Sequence, residues 1–438
     1  MTTGPTVARL SLPGVAWHDR RGTAACLAVA VSVALVAGAC GASPSPTPPP
    51  EATHGPTPAP VLTPSPPAPL AHLGEAEGEL DIIVRPGYAE RGEGDGAYDW
   101  VTQFQDDTGC KVNAFEAGTS DAAADKARSE GAKAWDGMSA GGDIARGLIA
   151  DGLIAPLEIG LFSAWNDLWP PLQAAQATTV DGLHYGVAQG WGVNELMWNT
   201  DKVKPDPAGW QALYDPESSA AGRMTLFDSP ITVADAALYA GSIRPDLRIT
   251  DPFELSNDQL AAVLDLMRIQ RPLIGTYWGT PLDQIAAFED GSAVLGAAWP
   301  NQAHLLLGAD PPVKVGTTFP EEGATGWFDS WLVLKGARHP GCMLRWIAWM
   351  ISPQVQKMAA EYVGEAPANV TACGPLDEHH GPLGFDKFCA VHHAQDEAYA
   401  RGVVFWKTPL IDCGDARGAA CTDYATWRQQ WDEIKASR

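Results

Sequence analysis

The sequence predicts an α/β fold in which two lobes are joined by two crossing segments. Between Leu80 and Ala150, apolar strands and amphipathic helices alternate at the spacing of a parallel sheet. Two extended stretches, around residues 182–199 and 320–334, contain no helical pattern and read as passages from one lobe to the other. At 438 residues the chain also exceeds what a single hydrophobic core usually serves.

The chain before residue 79 reads as export and spacing rather than fold. Arg20-Arg21 precede an apolar run from Ala24 to Ala37, too short for a comfortable membrane span but suited to a signal-peptide core. The run ends Leu35-Val36-Ala37-Gly38-Ala39-Cys40, which resembles the bacterial lipobox, with Ala37 where Leu is usual. Residues 1–40 are thus expected to be a lipoprotein signal peptide ending at Cys40, whose lipid would hold the protein on the outer face of the cell membrane. Residues 41–78 form a Pro-rich tether; Pro, Ser, Thr and Ala dominate 41–70, which favours polyproline II and would reach on the order of 90 Å.

The body starts with Leu80-Asp81-Ile82-Ile83-Val84, a core strand closing on Arg85-Pro86-Gly87-Tyr88. Trp100, Val101 and Phe104 fall at helical spacing over 100–106. A second strand covers 110–115, and Ser120-Asp121 would cap the next helix. Residues 135–138 make a short third strand, and 139–143 turn into a helix carrying Ile144, Leu148 and Ile149. Ligands of such sheets bind beyond the strand carboxyl ends, where Tyr88, Thr119 and Ser139 lie. This first lobe takes residues 79–190. The second, 191–325, holds a strand running into Asp228, helices over 234–240 and 258–268, and a strand from Leu295 that ends at Trp299. Residues 326–438 return to the first lobe, and the helix 342–351 and all that follows are expected to cap it. The two crossings are the expected hinge.

In the return crossing, Gly323 to Trp331, alternation puts Trp327 and Asp329 on one face and Phe328 and Ser330 on the other. An indole face and a carboxylate side by side are half a cage for an organic cation. A core Trp beside a strand-end Asp would look the same, so the longer pattern decides.

Six of the eight cysteines lie in the body, an even count that reads as disulfides in an exported chain, with fifteen pairings open. Short-loop proximity suggests Cys373–Cys389 and Cys413–Cys421, which leaves Cys110–Cys342. His379, His380, His392 and His393 flank two of these cysteines, but their spacing is not that of a zinc ligand set. No metal and no cofactor is expected.

Taken in order, several pieces resemble the solute-binding proteins of ABC importers, in their spermidine/putrescine-binding branch. They are Pro86-Gly87-Tyr88, Phe227-Asp228-Ser229-Pro230, Trp299, Pro320-Glu321-Glu322-Gly323, Gly326-Trp327-Phe328-Asp329-Ser330, Lys335 to Pro340, and Gly364-Glu365-Ala366-Pro367-Ala368-Asn369. The resemblance spans about 79–438 and implies a clamp of the type II periplasmic-binding-protein kind, with the ligand between its lobes. By position it implies Tyr88, Trp299 and Trp327 as walls of an aromatic box, Asp228 and Asp329 as ammonium partners, and Glu365 as a further pocket side chain. Arg85 stands where the family usually has a Trp, Gly87 where polyamine binders carry a carboxylate, and Gly142-Asp143 where they carry an aromatic. Arg85 therefore joins the pocket candidates, with Asp143 or Glu90 as its expected acidic partner.

The implied function is that of a monomeric binding protein which delivers a polyamine to a membrane permease and does no chemistry. The net charge of −24 argues against nucleic acid and anionic membrane surfaces as partners. A zwitterionic or sugar solute is the first alternative, because an Arg–Asp pocket and Trp faces suit either. An extracellular hydrolase using paired carboxylates is the second. No Gly-x-Ser-x-Gly, His-Glu-x-x-His or Gly-rich phosphate loop supports an enzyme.

Overall fold

Strand Glu79–Val84 lies inside a seven-stranded sheet, with Leu80, Ile82, Ile83 and Val84 fully buried. A strand covered on both faces favours apolar residues, which explains Leu80 and the run Ile82-Ile83-Val84, while Asp81 lies at the strand's less buried start. The structure is a computed structural model and describes residues 68–373 and 388–437. Cys40, most of the Pro-rich tether, His379 and His380 lie outside the described residues.

Glu79–Val84 pairs in parallel with Lys111–Glu116 and with Gly137–Gly141. Across the sheet the order is Ala366–Pro367, Gly186–Val193, Ala324–Val333, Gly137–Gly141, Glu79–Val84, Lys111–Glu116, and Val403–Phe405 runs alongside the start of Ala324–Val333. Two local expectations shift. Thr119 rather than Ser120 caps the helix Ser120–Glu130, its Oγ1 accepting from the Ala122 N–H at 3.1 Å. The third strand is Gly137–Gly141 rather than 135–138, because these residues pair antiparallel with Asp329–Val333 and must stay extended.

A five-stranded sheet carries the second lobe, in the order Val315–Thr318, Glu195–Asn199, Leu295–Ala298, Met224–Phe227, Ile274–Trp278. Of the helices beside it, Asn257–Gln270 begins with Ser256 and Gln259 bonding each other's backbone, and it buries Leu260, Val263, Leu264 and Met267 along one stripe.

The chain passes between the sheets three times rather than twice: at Asn194, through 319–323, and again beyond Phe405. The third passage corrects the expectation that everything after 351 caps the first lobe. In the C-terminal helix Tyr424–Ala436, Trp427, Trp431 and Ile434 form a stripe at helical spacing. That stripe packs into the same core as Leu260, Val263 and Met267 of the second lobe. Hydrogen bonds tie the three passages together. The Asn194 N–H donates to Thr325 O at 2.9 Å, and the Trp406 N–H to Gly326 O at 2.7 Å. The Thr325 hydroxyl accepts from Asn194 Nδ2 at 2.9 Å and Trp406 Nε1 at 3.0 Å, and donates to buried Asp235 at 2.7 Å.

The cysteines pair as Cys110–Cys342, Cys373–Cys389 and Cys413–Cys421. The first closes a loop of 232 residues, joining strand Lys111–Glu116 to helix Pro340–Met350 across the first-lobe core. Its removal as Cys110→Ala/Cys342→Ala is expected to cost roughly 2–5 kcal/mol in urea denaturation. A loss under about 1 kcal/mol would mean that packing of Trp346 and Phe104 alone holds that corner. Among the described residues no helix is long and apolar enough to cross a membrane.

Candidate functional site

The site is assembled from three chain ends that converge beneath the first sheet. The first is the turn after Glu79–Val84. Pro86 presets φ for the second position of a turn and Gly87 supplies φ 86° at the third, the pattern of a type II turn closed by the Tyr88 N–H on Arg85 O at 3.1 Å. A side chain at 87 would be strained, so the position that polyamine binders give to a carboxylate is taken here by turn geometry. The turn folds Tyr88 into full burial, while the Arg85 N–H is fixed on Ser139 Oγ at 2.9 Å.

The second is strand Ala324–Val333, buried at every residue. Its pairing with Gly186–Val193 slips at Asp329/Ser330, leaving Gln189 as the extra residue of a bulge, and Gln189 Oε1 accepts from Trp331 Nε1 at 2.8 Å. The third is the end of helix Pro353–Val363, where Gly364 at φ 83° ends the helix and turns Glu365 inward to 1% exposure. Gly190 leaves the space that Glu365 needs: a Cβ there would stand 2.3 Å from its carboxylate.

These ends bring Arg85, Tyr88, Asp329 and Glu365 into one cluster. Arg85 Nη1 lies 2.8 Å from Asp329 Oδ2, and Asp329 itself is wholly buried. The acidic partner expected for Arg85 was Asp143 or Glu90; the direct ion pair is instead with Asp329. Tyr88 Oη sits 2.7 Å from both Asp329 Oδ2 and Glu365 Oε2. A phenol has one proton and cannot donate to both, so one carboxyl must bring its own. Glu365 is that group: burial, then the nearby Asp329 charge, push it up to about 8. A protonated Glu365 donates to Tyr88, which donates to Asp329, which also accepts from Arg85.

Asp143, at the first turn of helix Gly142–Ala150, is pushed up to about 6, chiefly by burial. An added Cβ at Gly141 would meet Asp143 Oδ1 at 2.5 Å and Asp329 Oδ1 at 3.2 Å, so both oxygens crowd the Gly141 backbone and only glycine fits between them. Neither oxygen accepts a hydrogen bond among the described residues. Burying such acceptors unpaired is costly.

The aromatic half adjoins this cluster. The Arg85 guanidinium is 5.8 Å from the Trp327 ring centre. Trp327 lies 5.1 Å from Trp299, which follows strand Leu295–Ala298 and donates from Nε1 to Asn194 Oδ1 at 2.9 Å. Phe227, Trp278 and Trp406 extend the group. Trp406 was not among the expected site residues; it follows directly on strand Val403–Phe405, whose apolar run was the signal that the chain enters this region.

Asp228 is not brought to the cluster. Its Oδ1 accepts from Trp431 Nε1 at 2.9 Å and Lys435 Nζ at 2.6 Å, both on the C-terminal helix. A second acidic group, Asp81, Asp136 and His339, has ligand atoms within 4.8 Å of one another. Its oxygens are already engaged by the Asp81 and His339 N–H groups, Asn113 and the Arg338 cation, which marks a structural knot rather than a metal centre.

Residues 99–373 match the family described as bacterial extracellular solute-binding protein. Among curated proteins, the spermidine/putrescine-binding periplasmic protein of Escherichia coli K12 is 27% identical over 193 residues, 43% of this chain and 51% of that one. The chain thus spans about half the length of the curated relatives it matches. A spermidine/putrescine ABC transporter substrate-binding protein from Streptococcus pneumoniae superposes with a TM-score of 0.60 at 16% identity, over 82% of this chain and all of that one. A periplasmic binding protein from Agrobacterium tumefaciens B6, solved with glucopine, gives 0.59 at 16%, over 82% and 99%. At such identities the structures speak for the two-lobed type II fold alone. With 275 residues from 99 through 373 matched to one family, the chain belongs to the bacterial extracellular solute-binding proteins.

Proposed function

We propose that this protein captures a small organic cation, of the polyamine class, between its lobes and delivers it to an ABC permease. The observation that carries the reading is the charge of the buried site. Asp143, Asp329 and Glu365 face a single Arg85, next to the Trp327 and Trp299 rings. Buried carboxyls with open acceptor positions demand a cation, and flat indole faces suit its methylenes. The polyamine ligands named for the curated relatives point the same way. Binding without chemistry fits the family, and so does action as a monomer. Lipid attachment at Cys40 would place the protein outside the cytoplasm on the membrane face, beside its permease.

Calorimetric titration with putrescine and spermidine, against acetate and glucose as anionic and neutral controls, tests this. Saturable binding of an amine at micromolar concentration is expected. Asp143→Asn should weaken it at least tenfold, about 1.4 kcal/mol. Asp228→Asn, already paired with Lys435, should change it by less than threefold. Binding of glucose but of no amine would replace this reading with that of a sugar binder.

A further inference from the structure

The two carboxylates expected to meet ligand ammonium groups both carry cations from the protein itself. Asp329 holds Arg85 at 2.8 Å, and Asp228 holds Lys435 at 2.6 Å. Arg85 does more than pair. Its guanidinium stands 5.8 Å over Trp327, so it uses both the indole face and the carboxylate that an alkylammonium would seek. Its side chain keeps 35% exposure while Asp329 has none. The Arg85 backbone cannot retreat, because its N–H is fixed on Ser139 and its carbonyl closes the Pro86-Gly87 turn.

We propose that Arg85 is a tethered cation that fills the Trp327–Asp329 half-site and so selects ligands of low positive charge. This rests on the amine-binding reading above and narrows it from the polyamine class at large to amines of the lowest charge. A ligand with one ammonium group can use the open acceptor capacity of Asp143 Oδ1 and Asp329 Oδ1, which accept no hydrogen bond among the described residues. Each further ammonium must either displace a built-in cation or lie close to one, and like charges in a partly desolvated cleft repel strongly. At neutral pH Glu365 is largely protonated, which leaves Asp143 as the principal uncompensated charge of the cluster. The charge demand is for about one ammonium, not three.

The test is a titration series with butylamine, putrescine and spermidine, carrying one, two and three amines. The wild-type protein is expected to bind spermidine no more tightly than butylamine. In Arg85→Gln the order should invert, with spermidine gaining at least tenfold more than butylamine does. Arg85→Lys retains the cation and should keep the wild-type order, and it carries the comparison if Arg85→Gln fails to melt cooperatively. A uniform loss for all three amines in Arg85→Gln would overturn the inference, showing a brace instead of a selector. A uniform gain would overturn it too, since charge alone would then be felt without regard to the half-site. If no amine binds any of the three proteins, the amine reading itself fails and this inference with it. Amine binding with an unaltered order fails the inference alone.

Discussion

Asp329→Ala is expected to lower stability by about 3 kcal/mol in urea denaturation, with no ligand present. The carboxylate is the common acceptor for Arg85 and Tyr88, and it has no exposure to water. Its removal leaves the guanidinium without its ion-pair partner and the phenol with Glu365 alone. Breaking a buried pair by deleting one member costs about 3–5 kcal/mol in comparable settings, and the partial exposure of Arg85 puts this case at the low end. Asp329→Asn keeps the shape and one acceptor and should lose less. A loss below about 1 kcal/mol for the alanine variant would mean that Arg85 reaches water freely and the pair is not a buried one.

The empty protein should melt several degrees higher at pH 5 than at pH 8.5. Three buried carboxyls are pushed above their ordinary values, chiefly by burial: Asp143 to about 6, Asp235 to about 7 and Glu365 to about 8. An acid whose folded value is raised holds its proton in the fold at a pH where the unfolded chain has released it. Its contribution is therefore complete below about pH 4 and is lost as pH rises through the folded value. For Glu365 the loss falls between about pH 4.5 and 8, and amounts to at most about 5 kcal/mol. Glu365→Gln keeps a neutral hydrogen-bonding group beside Tyr88, so it should flatten the curve and be more stable than wild type at pH 8.5. A wild-type melting point that rises from pH 5 to 8.5 would contradict the protonated-Glu365 arrangement. A bound ammonium acts the other way, since it favours ionised Glu365; amine affinity should climb with pH up to about 8 and then level.

The near ends of this site were legible in the sequence. The end of strand Glu79–Val84 placed Tyr88 and alternation placed Trp327 with Asp329, whereas Glu365 entered only through the resemblance. The Arg85–Asp329 pair was not legible, because its members are 244 residues apart and several acids could have served. The same limit hid Lys435, which reaches Asp228 across 207 residues. Strand Ile274–Trp278 was missed because Arg271-Pro272 and Gly275 read as breakers. The C-terminal helix was assigned to the wrong lobe because its Trp427–Trp431–Ile434 stripe states that it packs but not on what.

The third passage between the lobes has a mechanical consequence. Near Thr325 the three passages lie side by side: Val193 is paired with Gly326, and Gly326 in turn with Phe405. Strands spaced about 4.8 Å apart make a ribbon about 10 Å wide. Such a ribbon flexes readily about an axis lying across its flat face. It resists twist and sideways slip, which would shear the hydrogen bonds between its edges. A single thread would let one lobe swivel freely over the other, whereas this ribbon leaves opening and shutting as the compliant direction. A motion confined to that direction would bring Trp299 back to the same place against Trp327.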